Sequence, residues 1–264
     1  MSIRHYNPGR NRRGRVSIAA ERFLYISLIL SIASQIVFLF NQNANFILAS
    51  ATFASVFTLA HAQLAFAKRY FWSYLLFVLV FGFLIEFISI NTGWPFGNIK
   101  YQNLGTTFFG VPILVLIFWL GSVHPLMIMA RKIAPNWVMI SGGAAITSYA
   151  LFFDQILVAN DYKTWEFSGA HIPFQTHIPL DNVVGWLFVG VVVFGLANLI
   201  LPKVRRKISA SMNSVDLFLV WTWIYNFIAN LFFFGKQGTA LVGGLAFGAI
   251  LGWYLSKRYL GSPN

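Results

Sequence analysis

Eight runs of mostly apolar residues dominate this sequence and restrict what the chain can fold into. A helix needs about 20 such residues to cross the hydrocarbon core of a bilayer. The chain is 58% hydrophobic and only 10% charged, whereas soluble domains carry about 25% charged residues. The sequence therefore predicts an all-α, polytopic transmembrane bundle of about eight helices. The predicted spans are 23–40, 46–66, 71–90, 108–129, 137–158, 183–201, 217–234 and 240–255.

The Lys and Arg residues indicate the orientation of the bundle. If the amino terminus is cytoplasmic, sixteen of the 19 basic residues fall on the cytoplasmic side, and only Lys100, Lys163 and Lys236 fall outside. Cytoplasmic loops of membrane proteins are enriched in Lys and Arg. We therefore expect both termini in the cytoplasm and a multi-pass protein of the plasma membrane. The net charge of +12 has the same origin, so we expect no nucleic-acid partner.

The chain divides into two parts. Residues 1–20 are basic, contain Gly, Asn and Pro, and have no apolar periodicity. They are typical of a flexible cytoplasmic arm, for which anionic lipid headgroups are the expected partner. Residues 21–264 form a single transmembrane helical domain. The chain has no Cys, which excludes disulfides and thiolate catalysis.

Three of the seven acidic residues fall near the predicted outer ends of helices. Glu86 and Asp154 lie about one turn inside the third and fifth spans, and Asp181 lies just before the sixth. An ionisable group within a span is costly and is a functional candidate by default. One carboxyl that stays protonated could act as a general acid while another acts as a base. The alternative is that each carboxyl only holds a loop through hydrogen bonds.

The same end of the bundle collects polar and aromatic side chains, which we assign to substrate binding. They are Asn91, Thr92, Trp94, Phe96, Tyr101, Trp165, Asn182, Trp186 and Asn226. Aromatic faces attract positive charge, so an acid among them suits protonation of an isolated alkene in a lipid and stabilisation of the carbocation that forms. For Asn226, interhelical hydrogen bonding is the alternative role.

The remaining titratable residues carry weaker signals. His171 and His177 are two loop histidines without further ligand spacing, so we expect no metal. His61 and His124, near the inner helix ends, are expected to be structural. Asp216, beside Ser214, is expected to cap the start of the seventh helix.

A stretch at the end of the third span carries a family resemblance. EFISINTGWPFGNIKY from Glu86, followed by GVPILVLIFWL from Gly110, resembles the membrane-bound carotenoid biosynthesis family that includes the carotenoid 1,2-hydratases, such as the bisanhydrobacterioruberin hydratases. Sequences of this family contain, in order, an acidic residue, the motif TG-x-PFG-x-Y-x-Y, the motif GVP and an apolar helix with Trp. The matching residues are Thr92, Gly93, Pro95, Phe96, Gly97, Tyr101, Gly110, Val111, Pro112 and Trp119.

A second block supports this resemblance. IPLDNVVGW from Ile178 is similar to the family's PL-x-N-x-x-GW signature, and Asp154 corresponds to its aspartate in the fifth helix. Two positions depart from the pattern. Val158 and Ala159 stand where the family often has a second Asp followed by Pro, and Ile99 replaces the first tyrosine of the pair.

The resemblance implies addition of water across the terminal isopropylidene double bond of an acyclic carotenoid end group, which gives a tertiary alcohol. Glu86 or Asp154 would protonate the alkene, and the other carboxylate or Asp181 would take the proton from water. Hydration is redox-neutral, so no cofactor is expected. The implied partners are the carotenoid substrate, membrane lipids and other membrane enzymes of the pathway.

Other functions stay open at this point. The chain could be a non-catalytic carotenoid or isoprenoid carrier, or an assembly partner for pathway enzymes. A small transporter would need a polar path across the bilayer, and the inner halves of the spans offer little beyond His61, Gln63 and His124. Prenyl transfer is disfavoured because the chain has no pair of Asp-rich motifs for magnesium diphosphate.

Overall fold

The computed structural model describes residues 14–167 and 169–261. Within them, eight helices are long and apolar enough to cross a membrane, which confirms the predicted polytopic bundle and makes the chain a multi-pass membrane protein. The helices are α1 Ile18–Asn41, α2 Ala44–Ala65, α3 Lys68–Thr92, α4 Ile113–Ile133, α5 Val138–Ala159, α6 Leu180–Ile200, α7 Asn213–Ile228 and α8 Gln237–Tyr259, and a π-helical turn Ala229–Phe233 extends α7.

Short strands form in the connections between the helices. Those within the described residues are β1 Gly14–Arg15, β2 Asn98–Tyr101, β3 Thr107–Phe108, β4 Val111–Pro112, β5 Lys163–Glu166, β6 His171–Ile172, β7 Gln175–Pro179 and β8 Ile208–Ser209. Four two-stranded sheets result, of which β1–β8 is parallel and β2–β5, β3–β4 and β6–β7 are antiparallel.

Two predicted helix starts differ from the structure by five residues, and the other six by fewer. The fourth helix begins at Ile113 rather than 108, because the β3–β4 hairpin takes up the residues before it. The first helix begins at Ile18, where the Ser17 hydroxyl accepts a hydrogen bond from the Ala20 amide at 3.2 Å. It therefore starts inside the range 1–20 that was assigned to the arm. Residues 1–13 of that arm lie outside the described residues.

Helices α4 and α5 form the centre of the bundle. About two thirds of their spans are buried, compared with 33–44% in the other six helices. Helices α5 and α6 approach closely through glycines, since a Cβ at Gly142 would lie 2.2 Å from the Phe194 ring and one at Gly190 would lie 2.8 Å from Gly143. Small residues that let backbones approach are typical of helix interfaces in membranes.

Two long connections on one face of the bundle fold onto each other. Strand β2, between α3 and α4, pairs with β5, between α5 and α6, so that Tyr101 lies opposite Lys163. Together with the β3–β4 and β6–β7 hairpins they form the loop layer, defined as residues 93–112, 160–167 and 169–179. The loop layer covers the ends of α3 to α6 and brings its own side chains to them.

The opposite face of the bundle carries separate polar contacts. The rings of His61 and His124 approach to 3.0 Å, and the Tyr70 hydroxyl lies 2.7 Å from the other nitrogen of His124. Both histidines are buried and hydrogen-bonded, in agreement with a structural role. The prediction for Asp216 was wrong. Its carboxylate accepts a hydrogen bond from Tyr254 on α8 at 2.5 Å, and so joins α7 to α8 instead of capping α7.

We predict that Gly142→Ala lowers the thermal unfolding temperature of the protein in detergent. The added methyl group would overlap the Phe194 ring, and such overpacking costs about 1–3 kcal/mol. Gly252→Ala on α8 is the matched control, because a Cβ there has nothing within 4 Å and alanine favours a helix over glycine. Equal unfolding temperatures for the two variants would contradict the close α5–α6 packing.

Candidate active site

The Asp154 carboxylate lies in α5 just below the loop layer and is 2% exposed. Oδ1 accepts a hydrogen bond from Lys163 Nζ at 2.8 Å. Oδ2 accepts from Asn182 Nδ2 at 2.7 Å and from Trp186 Nε1 at 3.1 Å, both on α6. A carboxylate that is taken out of water is stable only when paired and hydrogen-bonded in this way. The Asp154 side chain is therefore held by three donors from two elements, one of which is the Lys163 ammonium group.

Lys163 is the functional residue that the sequence reading missed. The charge distribution places it only among the three lysines of the outer segments, whereas the structure buries it with 2% of its surface exposed. Strand β5 pairs with β2 and places Lys163 over the bundle, where Nζ lies 4.5 Å from the centre of the Trp165 ring. Ion pairing with Asp154 and cation–π attraction both stabilise this charge. A Lys beside Trp in a loop rich in aromatic residues is a weak signal for such burial.

Glu86, in α3, is 1% exposed and has a different set of partners. Oε1 accepts a hydrogen bond from Trp119 Nε1 and Oε2 accepts one from the Tyr101 hydroxyl, each at 3.0 Å. Gly82 makes room for this arrangement, since a Cβ there would lie 3.0 Å from the Trp119 ring. Both donors to Glu86 are thus neutral, whereas Asp154 has a cation.

Tyr101 connects the loop layer to Glu86. Its phenol is enclosed, and burial raises the pKa of Tyr101 well above its ordinary value. The hydroxyl therefore stays protonated at physiological pH and donates a hydrogen bond to Glu86.

Both carboxyl groups line one cavity of about 50 Å³, which we call the site cavity. This exceeds the roughly 10–15 Å³ that one water molecule needs. Half of its other lining residues are aromatic, with Trp119 and Trp186 centred 5.4 Å apart. Further lining residues are Tyr101, Phe118, Tyr149, Phe153 and Lys163. Of these, Phe118, Tyr149 and Phe153 were not singled out from the sequence.

The third predicted acid does not join this cluster. The structure brings Glu86 and Asp154 together, but Asp181 is exposed in the first turn of α6. Its neighbour Asn182 is buried and contacts Asp154. Successive side chains on a helix point about 100° apart, so Asn182 contacts Asp154 while Asp181 points away from it.

The other predicted substrate-binding residues divide between the surface and the support of the site. Asn91 and Thr92 are exposed and donate to carbonyls of their own helix, and Trp94 is 53% exposed. Phe96 and Trp165 lie behind the cavity, where Trp165 Nε1 donates to the Phe96 carbonyl at 2.9 Å.

Three further candidates lie elsewhere. Asn226 is buried on α7 and lines a second, deeper cavity. His171 and His177 are exposed in the loop layer. Among the described residues, no group of three or more acidic or histidine side chains is placed to hold a metal ion.

Comparisons with known proteins agree with the motifs. The family model described as carotenoid biosynthesis protein matches residues 42–254. The chain is also 27% identical over 197 residues to the bisanhydrobacterioruberin hydratase of Haloarcula japonica. That match covers 69% of this chain and 65% of the relative, so the chain spans slightly less than two thirds of the relative's length. No solved structure matches the chain.

We predict that Lys163→Met strongly destabilises the folded protein. It removes the cation from a buried pair and leaves Asp154 uncompensated, which costs about 3–5 kcal/mol. Lys100→Met on the neighbouring strand is the matched control. Lys100 pairs with Glu166 in the open, and an exposed pair contributes at most about 1 kcal/mol.

Thermal unfolding in detergent measures both effects. The double variant Asp154→Asn with Lys163→Met should recover part of the loss, because no unpaired charge remains buried. If Lys163→Met unfolds at the same temperature as Lys100→Met, the buried ion pair does not hold the site together.

Proposed function

The chain belongs to the carotenoid biosynthesis protein family, and we propose that it adds water to the terminal isopropylidene double bond of an acyclic carotenoid end group. The observation that carries the proposal is the unequal pair of carboxyl groups in one aromatic cavity. Asp154 is held by a cation, and Glu86 by neutral donors alone. The similarity to a bisanhydrobacterioruberin hydratase supports the same reaction class.

The partners of the two carboxyl groups assign their roles. Burying an unpaired charge is costly, and a buried acid avoids the cost by staying neutral. Lys163 is bonded to Asp154 and not to Glu86, so we assign the anionic form to Asp154 and the protonated form to Glu86. Enzymes use different environments in this way to keep one carboxyl group protonated as an acid and the other ionised. Glu86 is then the proton donor.

Hydration proceeds in two steps from this arrangement. Glu86 transfers its proton to the less substituted carbon of the double bond, which leaves a tertiary carbocation and the Glu86 carboxylate. A water oxygen then bonds to the cationic carbon. The proton that this water releases returns to Glu86, so the product is a tertiary alcohol and the acid is restored. General acid catalysis of this kind contributes about 10²–10⁴-fold to a rate.

The wall of the cavity stabilises the cation between these steps. Trp119 and Trp186 present rings on one side, and Phe118 and Phe153, centred 4.3 Å apart, on the other. Aromatic faces attract cations most strongly where water is excluded. The Asp154 carboxylate lines the same cavity. Its negative charge attracts the developing cation and so offsets the repulsion of that cation by the Lys163 ammonium group. Asp181 has no part in this assignment because its side chain is exposed.

We also propose the membrane side on which the reaction occurs. The distribution of basic residues supports cytoplasmic termini. The loop layer and the site cavity then lie at the outer face of the plasma membrane.

The second candidate function is non-catalytic binding of a carotenoid. The observation that favours it is the complete set of donors around Asp154, which would also serve to hold the loop layer. In that case Glu86 would bind an end group without protonating it.

We predict that Glu86→Gln abolishes hydration and leaves the fold intact. Glutamine keeps the shape and can still accept a hydrogen bond from Trp119, but it has no acidic proton. In a bacterium that makes lycopene, the variant should yield at least about 100-fold less hydrated carotenoid than the parent chain. Pigments are separated by chromatography and identified by mass spectrometry. Asp181→Asn is the matched control and should retain full yield.

Two outcomes would decide against the proposal. If Glu86→Gln yields as much hydrated carotenoid as the parent chain, Glu86 is not the proton donor. Unchanged lycopene that co-purifies with the parent chain would favour the binding function instead.

A further inference from the structure

A second cavity lies next to the site cavity, on the side of the bundle interior. Its volume is about 60 Å³, and residues of α1, α2, α4, α5, α7 and α8 line it. Phe118, Ser122, Tyr149 and Phe153 line both cavities. We call these four residues the throat. The throat therefore stands between the two spaces, with the carboxyl groups on one side of it and the bundle interior on the other.

We propose that the second cavity binds the chain of a long acyclic isoprenoid, while the terminal double bond of that chain passes the throat to reach Glu86 and Asp154. This inference rests on the proposed function, because it assigns the substrate class of the same site. The residues around the second cavity then determine which chain length is accepted.

The direction of the second cavity suits an extended chain. On α4 the lining runs from Phe118 through Ser122 to Leu126, positions that share one helix face. These residues cover roughly 12 Å of helix rise. The path therefore follows the axis of α4 into the bundle for less than half of the roughly 30 Å hydrocarbon core, which is the direction that a long apolar chain takes when its end lies near one membrane face.

The chemistry of the lining also suits an isoprenoid. Large apolar side chains such as Phe38, Ile47 and Phe247 form most of it. Two of the hydroxyls are already bonded within their own helices, since Ser122 Oγ donates to the Phe118 carbonyl and Thr222 Oγ1 to the Phe218 carbonyl. They place no demand for polar groups on the occupant.

Asn226 is the exception in this lining. Its side-chain carbonyl oxygen is buried with no hydrogen-bond partner among the described residues, while its amide nitrogen donates to Thr222. It offers one acceptor to a hydroxyl group on the chain. Asn226 thus keeps the substrate-binding role expected from the sequence, but along the chain and not at the reacting end.

The test compares substrates that share an end group and differ in length. Lycopene has forty carbons and geraniol has ten, and both carry the isopropylidene end. Ala51→Phe fills the second cavity from α2, because Ala51 lines that cavity and not the site cavity. Ala33→Phe, at an exposed position of α1, is the matched control for adding a phenylalanine to the bundle.

For purified full-length chain in detergent, Ala51→Phe should raise the KM for lycopene at least tenfold and leave kcat/KM for geraniol within twofold. Ala33→Phe should change neither. An unchanged lycopene KM, or an equal loss for both substrates, would overturn the inference. If Ala51→Phe does not fold, the same two substrates are compared with the smaller substitution Ala51→Leu.

A binding measurement separates this inference from the proposed function. Glu86→Gln should retain lycopene through size-exclusion chromatography, detected by its visible absorption, and addition of Ala51→Phe should remove at least nine tenths of it. If the parent chain does not hydrate lycopene but this loss occurs, the proposed function fails and the chain path stands. If hydration occurs and the bound pigment is unaffected, the chain path fails and the proposed function stands.

Discussion

The ion pair between Asp154 and Lys163 joins the helix bundle to the loop layer. Both side chains are almost completely buried, and two charges in an apolar interior persist only when each is matched. Lys163 can reach Asp154 only if β5 folds back over the end of α5, and β5 carries β2 with it. That pairing in turn delivers the Tyr101 hydroxyl to Glu86. The geometry of both carboxyl groups therefore depends on one buried charge pair.

The same pair gives the two carboxyl groups different chemical roles. Lys163 compensates Asp154, while Glu86 has the neutral donors Tyr101 and Trp119. We propose that an acid and an anion face each other across an aromatic space as a result. Helices α4 and α5, the most buried of the bundle, contribute residues to both the site cavity and the second cavity.

The sequence predicted the features that follow from the free-energy cost of placing polar groups in the hydrocarbon core of a membrane. Apolar length predicted all eight helices, and the same cost singled out Glu86 and Asp154. It could not predict Lys163, because a lysine in a polar connection reads as solvated until β5 is known to pair with β2. It also could not separate Asp181 from Asn182, since only the rotation of α6 decides which neighbour contacts Asp154. The hairpin before α4 was hidden for a similar reason, as Phe108 to Pro112 continue an apolar run.

The most direct test of the account is the hydration of lycopene by the purified protein in deuterated water, followed by mass spectrometry after return to ordinary water. Protonation of the alkene by Glu86, which exchanges its proton with solvent, predicts one carbon-bound deuterium for each hydrated end. The hydroxyl deuterium washes out, whereas the deuterium on carbon remains. A hydroxylated product without carbon-bound deuterium, or lycopene that stays bound and unchanged, would contradict the account.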